Sequence, residues 1–99
     1  MKINTDNLKG KCAFISGATG GIGKVIAVSL AKEGCDLFLT STTNSSLQLI
    51  VDICKQYDVR VEAYSGDLSN EKDVYNIIKY AKESFSGIDI LINSAGIFP

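Results

Sequence analysis

At 99 residues the chain has room for one domain, and 45% hydrophobic with 21% charged residues is an ordinary globular composition. A net charge of −1 without a basic cluster excludes the electrostatic footprint of a nucleic-acid binder, and no apolar run approaches membrane-spanning length. Cys12, Cys35 and Cys54 stand far apart, with no Cys-x-x-Cys pair and no histidine, so no metal site is expected and three reduced thiols in a cytoplasmic protein are.

The start, Met1-Lys2-Ile3-Asn4, reads as lacking an apolar signal core. Lys11 to Ser16 reads as a buried strand. It runs into Ser16-Gly17-Ala18-Thr19-Gly20-Gly21-Ile22-Gly23, whose glycines 17, 21 and 23 are spaced Gly-x-x-x-Gly-x-Gly. Glycine tolerates positive φ and lets backbone approach a ligand closely. The helix that follows turns free N–H groups and its positive dipole end toward the same place. Strand, loop and helix in this order are built to hold a phosphate, which marks a dinucleotide binder. Two competing glycine patterns fail. A P-loop needs glycine where Ala18 stands and a hydroxyl where Val25 stands. The Gly-x-Gly-x-x-Gly form needs glycine at Thr19.

Ile22, Val25, Ile26, Ser29 and Leu30 fall on one face of the first helix, and Gly34 caps its end. Leu37 to Thr40 is a second short strand. Leu47, Ile50, Val51 and Cys54 form the next helical stripe, with Asn44 or Ser45 as its N-cap. Val59, Val61 and Ala63 alternate as a third strand. Ser69 or Asn70 caps a third helix, striped by Val74, Ile77, Ile78, Ala81 and Phe85 and closed by Gly87. Ile88 to Ile92 makes a fourth strand. The order β-α-β-α-β-α-β with right-handed crossovers predicts an α/β fold, the first half of a Rossmann-type doubly wound parallel sheet with strand order 3-2-1-4.

Three marks now stand on one pattern: the loop at residues 16–23 after strand one, Asp67-Leu68 after strand three, and Asn93-Ser94-Ala95-Gly96 after strand four. Together they resemble the short-chain dehydrogenase/reductase family, with the 3-oxoacyl-(acyl-carrier-protein) reductase type the nearest look. The resemblance covers essentially all of residues 1–99, but only the NAD(P)-binding N-terminal half of the family's fold. It implies that Gly17, Thr19, Gly21, Ile22 and Gly23 hold the pyrophosphate and nearby ribose. It implies that the Asp67 carboxylate accepts from the adenine amino group while the Leu68 N–H reaches the ring. It implies that Asn93 steadies the sheet centre and that the Ala95-Gly96 backbone lies against the adenosine. Ser94 stands where the family usually has a second asparagine.

Cofactor choice is read at the end of strand two, where an acidic side chain would hold both ribose hydroxyls and repel a 2′-phosphate. Ser41 and Thr42 occupy that place, and both can donate to a phosphate. NADP is therefore expected over NAD, although the Arg or Lys that often serves here is absent and Lys24 is the nearest cation.

The family reduces carbonyls with a Ser and a Tyr-x-x-x-Lys that lie well beyond the Asn-Asn-Ala-Gly segment. Tyr75 and Lys79 match that spacing, but they precede the fourth strand, on the outer side of the third helix. No catalytic residue is assigned. The expected activity is hydride transfer between a nicotinamide cofactor and a small carbonyl or alcohol substrate, 3-oxoacyl thioesters included. The alternative is a catalytically incomplete nucleotide-binding fragment or pseudo-enzyme. Neither nucleic acid nor membrane is an expected partner. The apolar fourth strand calls for a cover, either in a homo-oligomer or from the rest of a longer chain.

Overall fold

The computed structural model describes residues 8–94. Strand β1 (Cys12–Ser16) alternates its burial between two faces: Ala13 and Ile15 join one core, Cys12 and Phe14 the other. Strand β2 (Asp36–Ser41) does the same with Leu37 and Leu39 against Phe38. Strands that bury both faces need helices on both faces. Helices α1 (Gly21–Lys32) and α2 (Asn44–Cys54) cover the Ala13–Leu37 side, and α3 (Glu71–Ser84) covers the Phe38 side. Strands β3 (Val61–Ser65) and β4 (Ile90–Asn93) complete a parallel sheet in the order β3-β2-β1-β4, as expected. On the α3 side, Phe14 and Phe38 stand opposite each other in register and stack with ring centroids 5.3 Å apart.

The ends of α1 follow from local chemistry. Gly34 takes φ +88°, and the N–H groups of Gly34 and Cys35 reach back to the carbonyls of Ala31 and Leu30, both at 3.0 Å. This is the glycine-closed helix end that the sequence indicates. At the start of α3, Asn70 Oδ1 accepts from the Asp73 N–H at 3.0 Å, so Asn70 is the cap.

Several expectations are corrected. The face of α1 expected from Ile22, Val25, Ile26, Ser29 and Leu30 is only partly the buried one. Ile26 and Leu30 are half-buried and pack against the core, but Ile22 and Val25 are 54% and 64% exposed, and the fully buried positions are Gly23, Ala27 and Ala31. Small residues at i, i+4 and i+8 let the helix lie close against the strands and the glycine loop, where larger ones do not fit. In α3, Ile78 faces solvent, and the helix stops at Ser84 because Phe85 turns to extended backbone at φ −134°; Gly87 does not close it. Helix α2 takes Thr43 as its N-cap residue, without a side-chain bond, instead of Asn44 or Ser45. Strand β3 begins at Val61, two residues after Val59. Strand β4 begins at Ile90. The Asp89 carboxylate accepts from the Cys12 N–H at 2.9 Å, and the Asp89 N–H donates to the Cys12 carbonyl at 2.8 Å.

The three cysteines are buried free thiols. Burial pushes Cys54 up to about 11, and burial with the Asp36 and Asp89 carboxylates does the same for Cys12. Among the described residues no helix is long and apolar enough to cross a membrane.

Candidate functional site: a dinucleotide cleft

At the C-terminal ends of the strands a cleft of about 620 Å³ opens between the loops that follow β1, β2, β3 and β4. Ligands of open α/β sheets bind outside this end of the strands, where the order reverses direction. Here the reversal falls beside β1, between its neighbours β2 and β4.

The first wall is the glycine loop. Gly17 sits at φ +66°, a backbone that side chains avoid, and its carbonyl receives the Gly20 N–H at 3.0 Å. The Ala18 N–H donates to the Thr40 carbonyl at 3.2 Å, which ties the loop to the end of β2. Helix α1 then starts at Gly21 with no side-chain cap and no acid in its first turn. Its first N–H groups therefore have no intrahelical or side-chain partner, and its positive end is uncompensated. The contrast is α3, whose start carries Asn70, Glu71 and Asp73.

The glycines of this wall do different jobs. A Cβ on Gly23 would overlap the Gly17 carbonyl and stand 2.6 Å from Ser94 Oγ. At Gly21, beyond its chain neighbours and its own helix backbone, none of the described residues lies within 4 Å of such a Cβ, and its φ is not positive. Packing among the described residues gives Gly21 no reason to be glycine; close approach of a ligand gives one.

The second wall is the end of β2. Ser41 is only 8% exposed, and its Oγ lies 2.7 Å from Thr19 Oγ1 and accepts from the Thr43 N–H at 3.3 Å. Thr42 is exposed beside it. The third wall is the turn after β3. Asp67 Oδ1 accepts from the Ser69 N–H at 2.9 Å and the Ser69 hydroxyl at 2.7 Å, and the Asp67 N–H donates to Asp73 Oδ2. The Ser69 N–H, and after it the Ser69 hydroxyl, hold the Asp67 carboxyl below its ordinary 3.8. It is a carboxylate at neutral pH, with Oδ2 left for a donor such as an amino group. The fourth wall is the end of β4. Asn93 Oδ1 accepts from the Ser16 hydroxyl at 2.8 Å, and the Ser94 hydroxyl donates to the carbonyls of Ser16 and Gly17 at 2.5 and 3.1 Å.

The cleft thus brings together Gly17, Thr19, Ser41, Thr42, Asp67, Leu68 and Asn93. Gly21, Ile22 and Gly23 form the start of α1 behind the loop and do not line it. Ala95 and Gly96 lie outside the described residues. The cleft also draws in Gly20, Thr40, Gly66, Ser69 and Ser94, which sequence reasoning did not assign. Of these, Ser94 stood out in the sequence as a departure from the Asn-Asn-Ala-Gly segment. Among the described residues the Thr40 hydroxyl is buried without a partner beside the same cleft. Tyr75 and Lys79 are exposed on α3 and do not line the cleft; Tyr75 is 67% exposed. Among the described residues no three His, Cys, Asp or Glu side chains are grouped to hold a metal ion.

The residues fit an adenine dinucleotide: an uncapped helix start for phosphate, a carboxylate for an amino group, and hydroxyls at the ribose position. Residues 11–99 match the model of the short chain dehydrogenase family, and the chain belongs to that family. An oxidoreductase of Staphylococcus aureus, itself uncharacterised, is 38% identical over 96 residues; the alignment covers 97% of this chain and 39% of that protein. The chain thus spans about two-fifths of the length of the curated relatives that it matches. L-sorbose reductase from Gluconobacter frateurii, solved with NADPH and L-sorbose, superposes with a TM-score of 0.84 at 33% identity, over 92% of this chain and 35% of that one. Carveol dehydrogenase from Mycobacterium avium, solved with NAD, gives 0.82 at 29% identity, over 90% and 36%.

Proposed function

We propose that residues 1–99 form the NAD(P)-binding unit of an oxidoreductase that moves hydride between a nicotinamide cofactor and a small carbonyl or alcohol. The observation that carries this reading is Gly21. It is the first residue of α1, whose start carries no side-chain cap, and among the described residues nothing beyond its own helix backbone and chain neighbours lies within 4 Å of where its side chain would stand. A bound nicotinamide supplies or accepts the hydride. The protein's part in this chain is to hold the pyrophosphate at Gly17 to Gly23 and the adenosine between Asp67, Leu68 and the Asn93 to Gly96 segment. The sorbose and carveol enzymes support a carbonyl or alcohol substrate in general, not a 3-oxoacyl thioester in particular.

NADP is the preferred cofactor in this reading. Residues 41–46 contain no carboxylate, and the first turn of α2 has neither an acid nor a side-chain cap. Nothing at this end of β2 repels a 2′-phosphate. Catalysis is assigned to no residue of this chain. The family resemblance puts the Ser and the Tyr-x-x-x-Lys beyond the Asn93 to Gly96 segment.

A second copy, or further polypeptide in a longer chain, covers β4 in this reading. Among the described residues the outer edge of β4 pairs with no strand, and Leu91 is 73% exposed. Phe14, Val74, Ile78 and Leu91 border an apolar cleft of about 800 Å³ beside it. Open edges and apolar patches of this kind are covered in stable proteins. Buried reduced thiols support a cytoplasmic setting.

The test is oxidation of NADPH and NADH by the whole polypeptide against a panel of ketones, sugars and 3-oxoacyl thioesters. Steady turnover with one class is expected. Tight cofactor binding without turnover on any of them would favour the pseudo-enzyme.

A further inference from the structure

Two hydroxyls from different walls of the cleft meet at 2.7 Å: Thr19 Oγ1 from the glycine loop and Ser41 Oγ from the end of β2. Ser41 Oγ has a second partner, the Thr43 N–H at 3.3 Å. Counting protons shows what this pair has to offer. A hydroxyl has one proton and two acceptor sites. Two hydroxyls hold two protons, one lies in the bond between them, and one is left over. If Thr19 donates, both acceptor sites of Ser41 are filled, by Thr19 and by Thr43. The Ser41 proton then points away from both. If Ser41 donates, the spare proton belongs to Thr19 and Ser41 has none to give.

The two arrangements suit different ligands. A phosphate oxygen only accepts, so at the end of β2 it needs the first arrangement. A ribose 2′-hydroxyl donates or accepts, so it is satisfied by either. Thr19 and the Thr43 N–H together hold the Ser41 oxygen in place. Without Thr19 the longer Thr43 bond fills one acceptor site, and the Ser41 proton is no longer directed by the shorter one.

We infer that Thr19 selects the cofactor through Ser41: it donates to Ser41 and turns the Ser41 proton toward the 2′ position, which favours a 2′-phosphate. Thr19 is here a positioning residue, apart from any contact that it makes with the pyrophosphate. The inference rests on the reading of the cleft as a nicotinamide dinucleotide site.

Contact of Thr19 with the pyrophosphate affects NAD and NADP alike, because both carry it. The ratio of their dissociation constants isolates what passes through Ser41. Both constants are measured by fluorescence titration on the whole polypeptide and on Thr19→Val, Thr19→Ala, Thr19→Ser, Ser41→Ala and the double variant Thr19→Val/Ser41→Ala. Thr19→Val and Thr19→Ala should each shift the ratio toward NAD by about threefold to tenfold, the range of one well-placed hydrogen bond. Thr19→Ser keeps the hydroxyl and should keep the ratio. In the Ser41→Ala background, Thr19→Val should leave the ratio where Ser41→Ala put it. Equal weakening of both cofactors by Thr19→Val, or the same ratio shift with Ser41 absent, overturns the inference and leaves the dinucleotide site standing. A wild-type protein that binds neither cofactor overturns the site and the inference together.

Discussion

The Ser94 hydroxyl lies 3.1 Å from the Gly17 carbonyl, and together they fill the space that a side chain on Gly23 would need. The end of β4, the glycine loop and the first turn of α1 are thus locked at one point. Gly23→Ala must push the loop or the helix aside, at a cost on the order of 1–3 kcal/mol. We expect the melting temperature of the whole polypeptide to fall by several degrees, with cofactor affinity falling too. An unchanged melting curve would show that this contact does not hold the loop.

Ser94→Ala removes the hydroxyl and leaves the carbonyl of Gly17 with only the Gly20 N–H. The expected loss is about 1 kcal/mol of stability, with a weaker grip on the cofactor. Urea denaturation followed by a cofactor titration reads both. No change in either would mean that the Asn93 bond to Ser16 suffices alone.

Ser41→Asp places a carboxylate beside Thr19. It should repel a 2′-phosphate and accept from the two ribose hydroxyls, reversing the preference from NADP to NAD. Titration of both cofactors decides it. A variant that still prefers NADP would put the discriminating position elsewhere.

The buried thiols predict an alkaline weakness. Cys12 and Cys54 ionise near the ordinary 9.0 when unfolded and near about 11 when folded. Between those values the folded state holds more protons than the unfolded one, so stability falls as pH rises. The contribution is complete below pH 9.0 and lost by about pH 11. Denaturant midpoints at intervals across that range should decline. They should decline less steeply in Cys12→Ala/Cys54→Ala; parallel curves would contradict the assignment.

Much of this was legible from the chain because it is written locally. Gly17, the strand before it and the helix after it lie within a few residues of one another, and so do the cap at Asn70 and the Schellman turn at Gly34. The sheet order followed from short crossovers. The face of α1 was legible only in Ile26 and Leu30, because Gly23, Ala27 and Ala31 carry little apolar bulk and hydrophobic periodicity weighs bulk. The bonds that join the walls were not legible. Thr19 and Ser41 are separated by 22 residues, and Ser94 and Gly17 by 77. Such pairs exist only once the parallel register brings the strand ends side by side. Ser94 showed itself in the sequence only as a departure from pattern, with no hint that it closes the loop.

Whether the glycine loop serves a dinucleotide or only a turn is decided by Gly21→Ala. The described residues leave room for a methyl group at that position, and alanine is the better helix former by up to about 1 kcal/mol. Calorimetric titration of NADPH into the whole polypeptide should show binding to the wild type. For Gly21→Ala it should show binding weakened by at least about tenfold, with a melting temperature that is equal or higher, because a pyrophosphate approaching the start of α1 meets the new methyl group. An affinity unchanged by Gly21→Ala would contradict the dinucleotide reading of the loop.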